Sequence, residues 1–344
     1  MAKQTHLLDL LPEQLEEQLM LWQEPRYRVK QILDWYYRHH ESNLDRMSSL
    51  PLALREKLKT LIILSLPPIL DKLQSRDGSI KYLLSLDDSA RVEMVTIPTA
   101  RKNTLCVSSQ VGCARQCTFC ATAGMGLQRN LLAREILAQI LLAQQQLDPA
   151  NLTNIVFMGM GEPLDNLDQV LDAIKALQSS QRFNFSPRRI TLSTCGIIPG
   201  IVRLASAGIK LKLAVSLNSA IQTKREQLMP IAGMYPLSEL KPALLDFRRN
   251  NPYRITFEYI MIRNFNTGKE DAEALRSFLG DISCKLNLIP WNQIGSSVWQ
   301  EPSAEEVESF QNELNRIMPC AVTLRHSRGA DIAAACGQLA GKAS

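Results

Sequence analysis

The sequence predicts an α/β protein whose largest part is a partial (β/α)6 barrel, preceded by a helical module and a short β meander. Three patterns carry that prediction. Near-continuous apolar runs at residues 104–108, 153–158, 189–193, 211–217, 254–261 and 284–289 alternate with stretches of helical spacing, as parallel strands covered by helices do. Before them, strand-like segments between residues 69 and 98 are punctuated by turn residues. Earlier still, apolar positions recur only at helical spacing.

The helical module occupies residues 1–65, and the spacing in Leu11 to Trp22, Val29 to Tyr37 and Leu52 to Ile63 predicts its helices. Charge divides within it. Residues 1–25 carry one Lys against five acids, a net of −4, whereas residues 26–59 carry eight Lys and Arg against four acids, a net of +4. The second stretch also holds Trp35, Tyr36, Tyr37, His39 and His40. It reads either as a docking surface that meets phosphates and stacks bases, or as a solvated helix face over a packed aromatic core. Residues 66–100 read as a meander linker, with Arg76-Asp77-Gly78-Ser79 and Asp87-Asp88-Ser89 turning strands that contain Tyr82-Leu83-Leu84 and Val92-Glu93-Met94-Val95. Residues 101–325 read as the barrel, with chemistry expected at the carboxyl ends of its strands. Residues 326–344 remain as a C-terminal segment carrying Cys336.

Composition excludes several classes. The 344 residues are 45% hydrophobic, 21% charged and 6% aromatic, which argues against disorder, collagen and coiled coil. The longest apolar candidate for a membrane span, Leu61 to Leu70, is short and broken by Pro67 and Pro68, and the N-terminus has no secretion signal. A cytoplasmic protein with no membrane contact is expected. Thirty-nine basic against thirty-four acidic residues give +5, which permits a polyanionic partner without requiring one.

In a reducing compartment, eight cysteines point to metals and catalysis before structural disulfides. Cys113, Cys117 and Cys120 form a CxxxCxxC loop just after the first barrel strand. Three thiolates from one loop can converge on a soft centre, either zinc or an iron–sulfur cluster. Structural zinc wants a fourth ligand, usually from a second nearby pair, and none is close in sequence. A four-iron cluster on three thiolates would instead leave one iron open to a substrate or cofactor. A metal-free surface loop is the third reading.

Placed there, the loop resembles that of the radical S-adenosylmethionine superfamily, in which the cofactor's amine and carboxylate chelate the fourth iron of a [4Fe-4S] cluster. Phe119 holds the aromatic position before the third cysteine, and Gly159-Met160-Gly161-Glu162-Pro163 after the second strand is similar to the superfamily's cofactor loop. A glycine-rich turn lets backbone approach a ligand, and Glu162 can accept from an ammonium. The strings Leu105 to Cys113, Gly159 to Pro163, Thr191 to Gly196, Asn287 to Asn292 and Ala335 to Leu339 together resemble the RlmN/Cfr family of RNA adenosine methyltransferases over nearly the whole chain.

That resemblance implies a chemistry. Carbon 2 or 8 of adenine is not nucleophilic, so radical transfer replaces displacement. The family methylates one cysteine, matched by Cys336. A 5′-deoxyadenosyl radical then takes a hydrogen from the S-methyl group, the resulting carbon radical adds to the base, and a second thiol, matched by Cys106, resolves the adduct. A transient Cys106–Cys336 disulfide would remain for reductants to reopen. Alternation puts Cys106 on a strand face with Thr104 and Ser108, opposite Leu105 and Val107. Cys195, Cys284 and Cys320 read as small buried hydrophobes.

Glu93 matches the family's acid/base carboxylate, and alternation equally allows a solvent-facing strand residue. Gly161, Glu162, Ser193, Ser216, Leu217, Asn218 and Asn292 match cofactor-binding positions; Asn218 departs from a family that more often has His there. Arg325, His326 and Arg328 are read as meeting RNA phosphates or ordering the loop before Cys336. The family's substrates are an adenosine of 23S rRNA and, in some members, one beside the tRNA anticodon. An external electron donor such as flavodoxin is implied. C8 instead of C2 methylation, a radical enzyme acting on a protein or small molecule, and a cluster- or zinc-containing RNA-binding module are the rival readings.

Overall fold

The computed structural model describes residues 4–147, 151–295 and 297–341, so residues 342–344 of the C-terminal segment lie outside the described residues. Three helices, α1 (Pro12–Leu21), α2 (Tyr27–Tyr37) and α3 (Leu52–Leu61), build the amino-terminal part, tied by a short parallel pair of β1 (Thr5–His6) and β2 (Ile62–Ile63). Leu15, Leu19, Ile32, Leu33, Leu54 and Leu58 supply their buried stripe. Tyr36 and Tyr37 are 1% and 3% exposed, so the packed-core reading holds for both. The Tyr37 ring meets Phe183 edge-on at 4.8 Å, and buried Arg182 donates to the Tyr37 hydroxyl at 2.9 Å and to the Leu8 carbonyl at 2.7 Å. These contacts seat the helices on the helical layer of the barrel.

The meander forms as β3 (Ile69–Gln74), β4 (Ile80–Ser85) and β5 (Arg91–Thr99). Its first turn is closed by Gly78 at φ +84° and by Asp77, which accepts from the Ser79 amide at 2.8 Å. It is no separate linker, however. Strand β5 pairs antiparallel with β6 (Lys102–Cys106), Val95 opposite Cys106, so the meander extends the barrel's own sheet.

The remaining sheet strands are β9 (Asn154–Phe157), β10 (Ile190–Thr194), β11 (Lys212–Ser216), β12 (Ile255–Met261), β13 (Cys284–Pro290) and β14 (Ala321–Leu324); a small hairpin, β7 (Gln110–Gly112) with β8 (Leu127–Asn130), brackets the cysteine loop. Their order is β14-β13-β12-β11-β10-β9-β6-β5-β4-β3. From β6 onward neighbours are parallel and follow chain order, so each crossover advances in the same direction. That winding keeps the helices on one face and curls the sheet into an open barrel. They are α4 (Ala133–Leu147), α5 (Leu167–Gln178), α6 (Ile198–Ser206), α7 (Gln222–Leu228), α8 (Ile231–Met234), α9 (Leu237–Asn250), α10 (Lys269–Leu279) and α11 (Ala304–Ile317). The six expected strands are present, and β14 is a seventh that sequence reasoning passed over: it is an edge strand whose four residues alternate exposed and half-buried, without the apolar run of the others. Among the described residues no helix is long and apolar enough to cross a membrane.

Candidate active site

The cysteine loop leaves β7 and returns through β8, which places Cys113, Cys117 and Cys120 around one end of the barrel. All three thiols line a cavity of about 150 Å³ together with Gly161, Glu162, Ser193, Ser216 and Asn218, three strand ends meeting one loop. Burial pushes the Cys113 thiol up to about 11 and raises that of Cys117 as well. A bound metal reverses that preference, since a coordinating thiol is deprotonated outright. No three His, Cys, Asp or Glu groups among the described residues are arranged to hold a single metal ion. The donor set is soft, is one short of a closed tetrahedral site, and opens onto a polar cavity, which fits a cluster with one free corner.

The glycine loop is shaped by contact. Gly161 sits at φ +98°, and a Cβ there would come within 2.5 Å of Gln110 Cβ. Gln110 Oε1 accepts from the Glu162 amide at 2.9 Å, pinning the loop to β7. The Glu162 carboxylate accepts from the Leu164 amide at 3.0 Å and from the Cys195 amide at 2.8 Å. Burial raises its pKa, against those backbone donors. Asn218, at φ +57°, spends its carbonyl oxygen on the Ile260 amide at 3.0 Å.

Cys336 is brought to this cavity by a tail with many anchors. Asp77 accepts from the Gly329 amide at 2.9 Å, and Asp331 accepts from the Ser75 hydroxyl at 2.6 Å. Asn292 Nδ2 donates to the Cys336 carbonyl at 3.2 Å, and the Ala121 amide donates to the Gly337 carbonyl at 2.6 Å. A Cβ on Gly337, at φ +83°, would lie 2.9 Å from the Phe119 carbonyl, so the tail lies directly on the cysteine loop. Thr122 holds the Leu339 carbonyl at 2.7 Å.

A second cavity, of about 480 Å³, occupies the barrel interior and is lined by Thr104, Cys106, Met158, Glu258 and Cys336 among others. Of the described thiols, Cys336 alone borders both cavities. Burial pushes the Cys106 thiol up to about 12, with the Cys336 thiol adding to it. Thr104 and Cys106 do face inward together, whereas Ser108 turns away and donates to the Glu93 carbonyl at 2.6 Å.

Three expected site residues are placed elsewhere. Leu217 is fully buried outside the cavity lining, and Asn292 meets the tail's backbone, not the cavity. Glu93 lines neither cavity and is not solvent-facing: it is 1% exposed, 3.1 Å from Lys81 Nζ, and accepts from the Ala340 and Gly341 amides at 2.8 and 3.1 Å. It ties the end of the tail to the sheet. Glu93→Ala is expected to destabilise the chain by about 3–5 kcal/mol, because it strands a buried ammonium and two amides. Thermal unfolding checks this; an unchanged midpoint would remove the tether.

Other residues went unnoticed in the sequence. Glu258, at the middle of β12, accepts from Asn287 at 3.0 Å and from Arg325 at 3.4 Å and lines both cavities. Arg225 on α7 is fully buried and donates to the Cys195 carbonyl at 2.7 Å. Its pKa is lowered to about 10 by burial, opposed by the Cys195 and Cys117 thiols, so it sets a positive charge beside the ligand loop. Cys195 itself lines the thiol cavity and hydrogen-bonds Glu162, more than the packing role expected of it. Cys284 and Cys320 meet across β13 and β14, and the Cys284 thiol, donating, lowers the Cys320 pKa while its own rises. Iodoacetamide at pH 8 should therefore alkylate Cys320 well before Cys284 or Cys106, as peptide mass spectrometry would read; simultaneous labelling would contradict it.

This barrel, with its ligand loop after the first parallel strand and its glycine loop after the second, defines a radical S-adenosylmethionine protein, a class whose cofactors are a [4Fe-4S] cluster and S-adenosylmethionine. Residues 107–278 match the model of the Radical SAM superfamily, and residues 5–64 match that of the Ribosomal RNA large subunit methyltransferase N-terminal domain. A relative from Chlorobium chlorochromatii, described as a probable dual-specificity RNA methyltransferase RlmN, is 44% identical over 98% of this chain and 95% of its own. The dual-specificity RNA methyltransferase RlmN of Desulfotalea psychrophila is 40% identical over 97% of this chain and 94% of its own. A crystal structure of a radical SAM methyltransferase from Sphaerobacter thermophilus superposes with a TM-score of 0.93 at 40% identity, covering 98% of this chain and 100% of that one. The chain belongs to the RlmN family.

Proposed function

We propose that this protein methylates C2 of an adenosine in 23S rRNA, and of tRNA as a second substrate, through a methyl group carried on Cys336. The observation that supports it most is the position of that thiol, the one described thiol bordering both the cysteine-loop cavity and the cavity that holds Cys106. Cys113, Cys117 and Cys120 would hold the cluster, and Glu162, Ser193, Ser216 and Asn218 would hold S-adenosylmethionine. When bound, the two supply a carbon-centred radical able to take hydrogen from an unactivated methyl group.

Cys336 carries the methyl as a thioether; after losing one hydrogen its carbon adds to C2 of the base, and the adduct becomes a closed-shell thioether by giving up one electron, which the bound cluster would take back, and the C2 proton. Cys106 Sγ then attacks Cys336 Sγ: the carbon–sulfur bond breaks, a proton replaces sulfur on the carbon, and the two sulfurs are left as a disulfide that an external dithiol reduces. Burial keeps Cys106 a thiol at neutral pH, so it waits unreactive until the adduct forms. Glu93 is a positioning residue in this reading, because its carboxylate is spent on Lys81 and the tail. The helical module docks structured RNA, an external donor such as flavodoxin supplies the electron, and the protein works in the cytoplasm.

Digestion of RNA treated with the reconstituted enzyme, followed by mass spectrometry against methyladenosine standards, tests the reading. 2-Methyladenosine is the expected product; 8-methyladenosine would move the target carbon, and no methyladenosine would overturn the proposal.

A further inference from the structure

The barrel interior raises a question the chemistry at its top leaves unused. In a filled barrel, layers of Val, Ile and Leu close the amino end. Here the inward positions nearest that end are Lys102 on β6, Lys212 on β11 and Lys285 on β13, with Asn154, Thr191 and Thr256 between them. The cavity they line runs unbroken to Cys106 and Cys336. Arg325 and Arg328 lie along it, so five cations face a single carboxylate, Glu258. That carboxylate is engaged by Asn287 and Arg325. Among the described residues, the three ammonium groups have no ion-pair partner. Lys212 is lowered by burial first and then by neighbouring cations, Lys285 and Lys102 among them; Lys285 is lowered by burial, opposed by Glu258, and then by Arg325 and Lys102.

Converging cations without counter-charge are self-repulsive and persist where an anion completes them. We infer that the amino end of the barrel is the mouth through which a single strand of RNA enters, its phosphodiester groups lying on Lys102, Lys212 and Lys285. The spacing suits this occupant. Four residues separate Lys102 from Cys106 and Lys212 from Ser216, a depth of roughly 13 Å at the rise of a strand. A nucleotide held by its phosphate at the mouth can thus reach inward with an unstacked base, which must leave its helix to be modified. Among the described residues no Phe, Tyr or Trp lines this cavity and His326 is its one ring, so contact is mainly electrostatic. The inference rests on the RNA reading above and adds the route, which lies at the end of the barrel opposite the cluster loop.

The test compares two triple variants of the reconstituted enzyme carrying the same change in net charge. One is Lys102→Gln/Lys212→Gln/Lys285→Gln; the other replaces Lys175, Lys241 and Lys269 on the outer helices with Gln. Iron content per chain shows that each is folded. The probe is a fluorescein-labelled, unstructured RNA oligonucleotide, with dissociation constants measured by anisotropy from 50 to 200 mM salt, conditions taken from the range over which phosphate contacts are read. Single-strand contacts contribute about 0.7 each to the salt slope, so the mouth variant should lose about 2 from it. The unaltered protein should then lose about 16-fold more affinity than the mouth variant across that range, and the outer variant should follow the unaltered protein. Equal slopes in the two variants, with methyladenosine still made by the unaltered protein, overturn the mouth alone. No methyladenosine from the unaltered protein overturns the functional reading and the mouth with it.

Discussion

Cys336→Ala protein is expected to yield no methylated adenosine while binding iron and sulfide as the unaltered chain does. The two outcomes separate because of how the residue is held. Its backbone is fixed by Asn292 through its own carbonyl and by the Gly337 contact with the cysteine loop, none of which uses the side chain. Its Sγ faces cavity, not core, so truncation to a methyl group leaves no packing defect that would spread to the ligand loop. What is lost is the atom that carries the methyl group. Product analysis of treated RNA and metal content of the same preparation check both halves; full turnover by the variant would remove Cys336 from the reaction.

Cys117→Ser should have the opposite profile, with the tail intact and the metal gone. Iron and sulfide are expected to fall from about four each per chain toward zero, and reductive cleavage of S-adenosylmethionine to vanish with them. Three ligands leave no spare: of the two other thiols lining that cavity, Cys195 is spent on Glu162 and Cys336 is the one assigned the methyl group. Serine is close in size but is a hard, weakly acidic donor that does not replace a thiolate on iron. Burial already opposes the charged form at this position, so the metal must supply the whole driving force for deprotonation. Anaerobic metal analysis and absorption spectra decide it. A variant that kept four irons, or an unaltered protein that took up a single saturated zinc ion, would overturn the cluster assignment.

The ligand cysteines were readable in the sequence, and the reason is locality. The three ligand cysteines fall within one loop of eight residues, and the glycine loop forms between one strand and the turn after it. Chain connectivity alone brings such groups together. Cys106 was legible for a related reason, since strand alternation with Thr104 decides which way it points. Cys336 became legible through resemblance, not spacing.

Glu93 went the other way. Alternation left it a choice between reactive and solvent-facing, and the structure makes it neither, because the tail that covers it arrives from the far end of the chain. Glu258, Asn287 and Arg325 come from two strands and the end of a third, and the three lysines from β6, β11 and β13, far apart in the chain. Tyr36 and Tyr37 look like stacking groups until Phe183 and Arg182 are packed against them.

By itself, then, the sequence determined the alternating strands and helices, the ligand loop and the glycine loop, all of which depend on backbone geometry and side chains a few residues apart. Tertiary structure decided that the meander continues the barrel sheet, that Glu93 is a tether, that Cys336 stands between two cavities and that cations gather at the barrel's amino end. These are consequences of which strands lie side by side and where the tail comes to rest, and such pairings are settled by burial and hydrogen bonding over the whole chain, not within any one stretch of it.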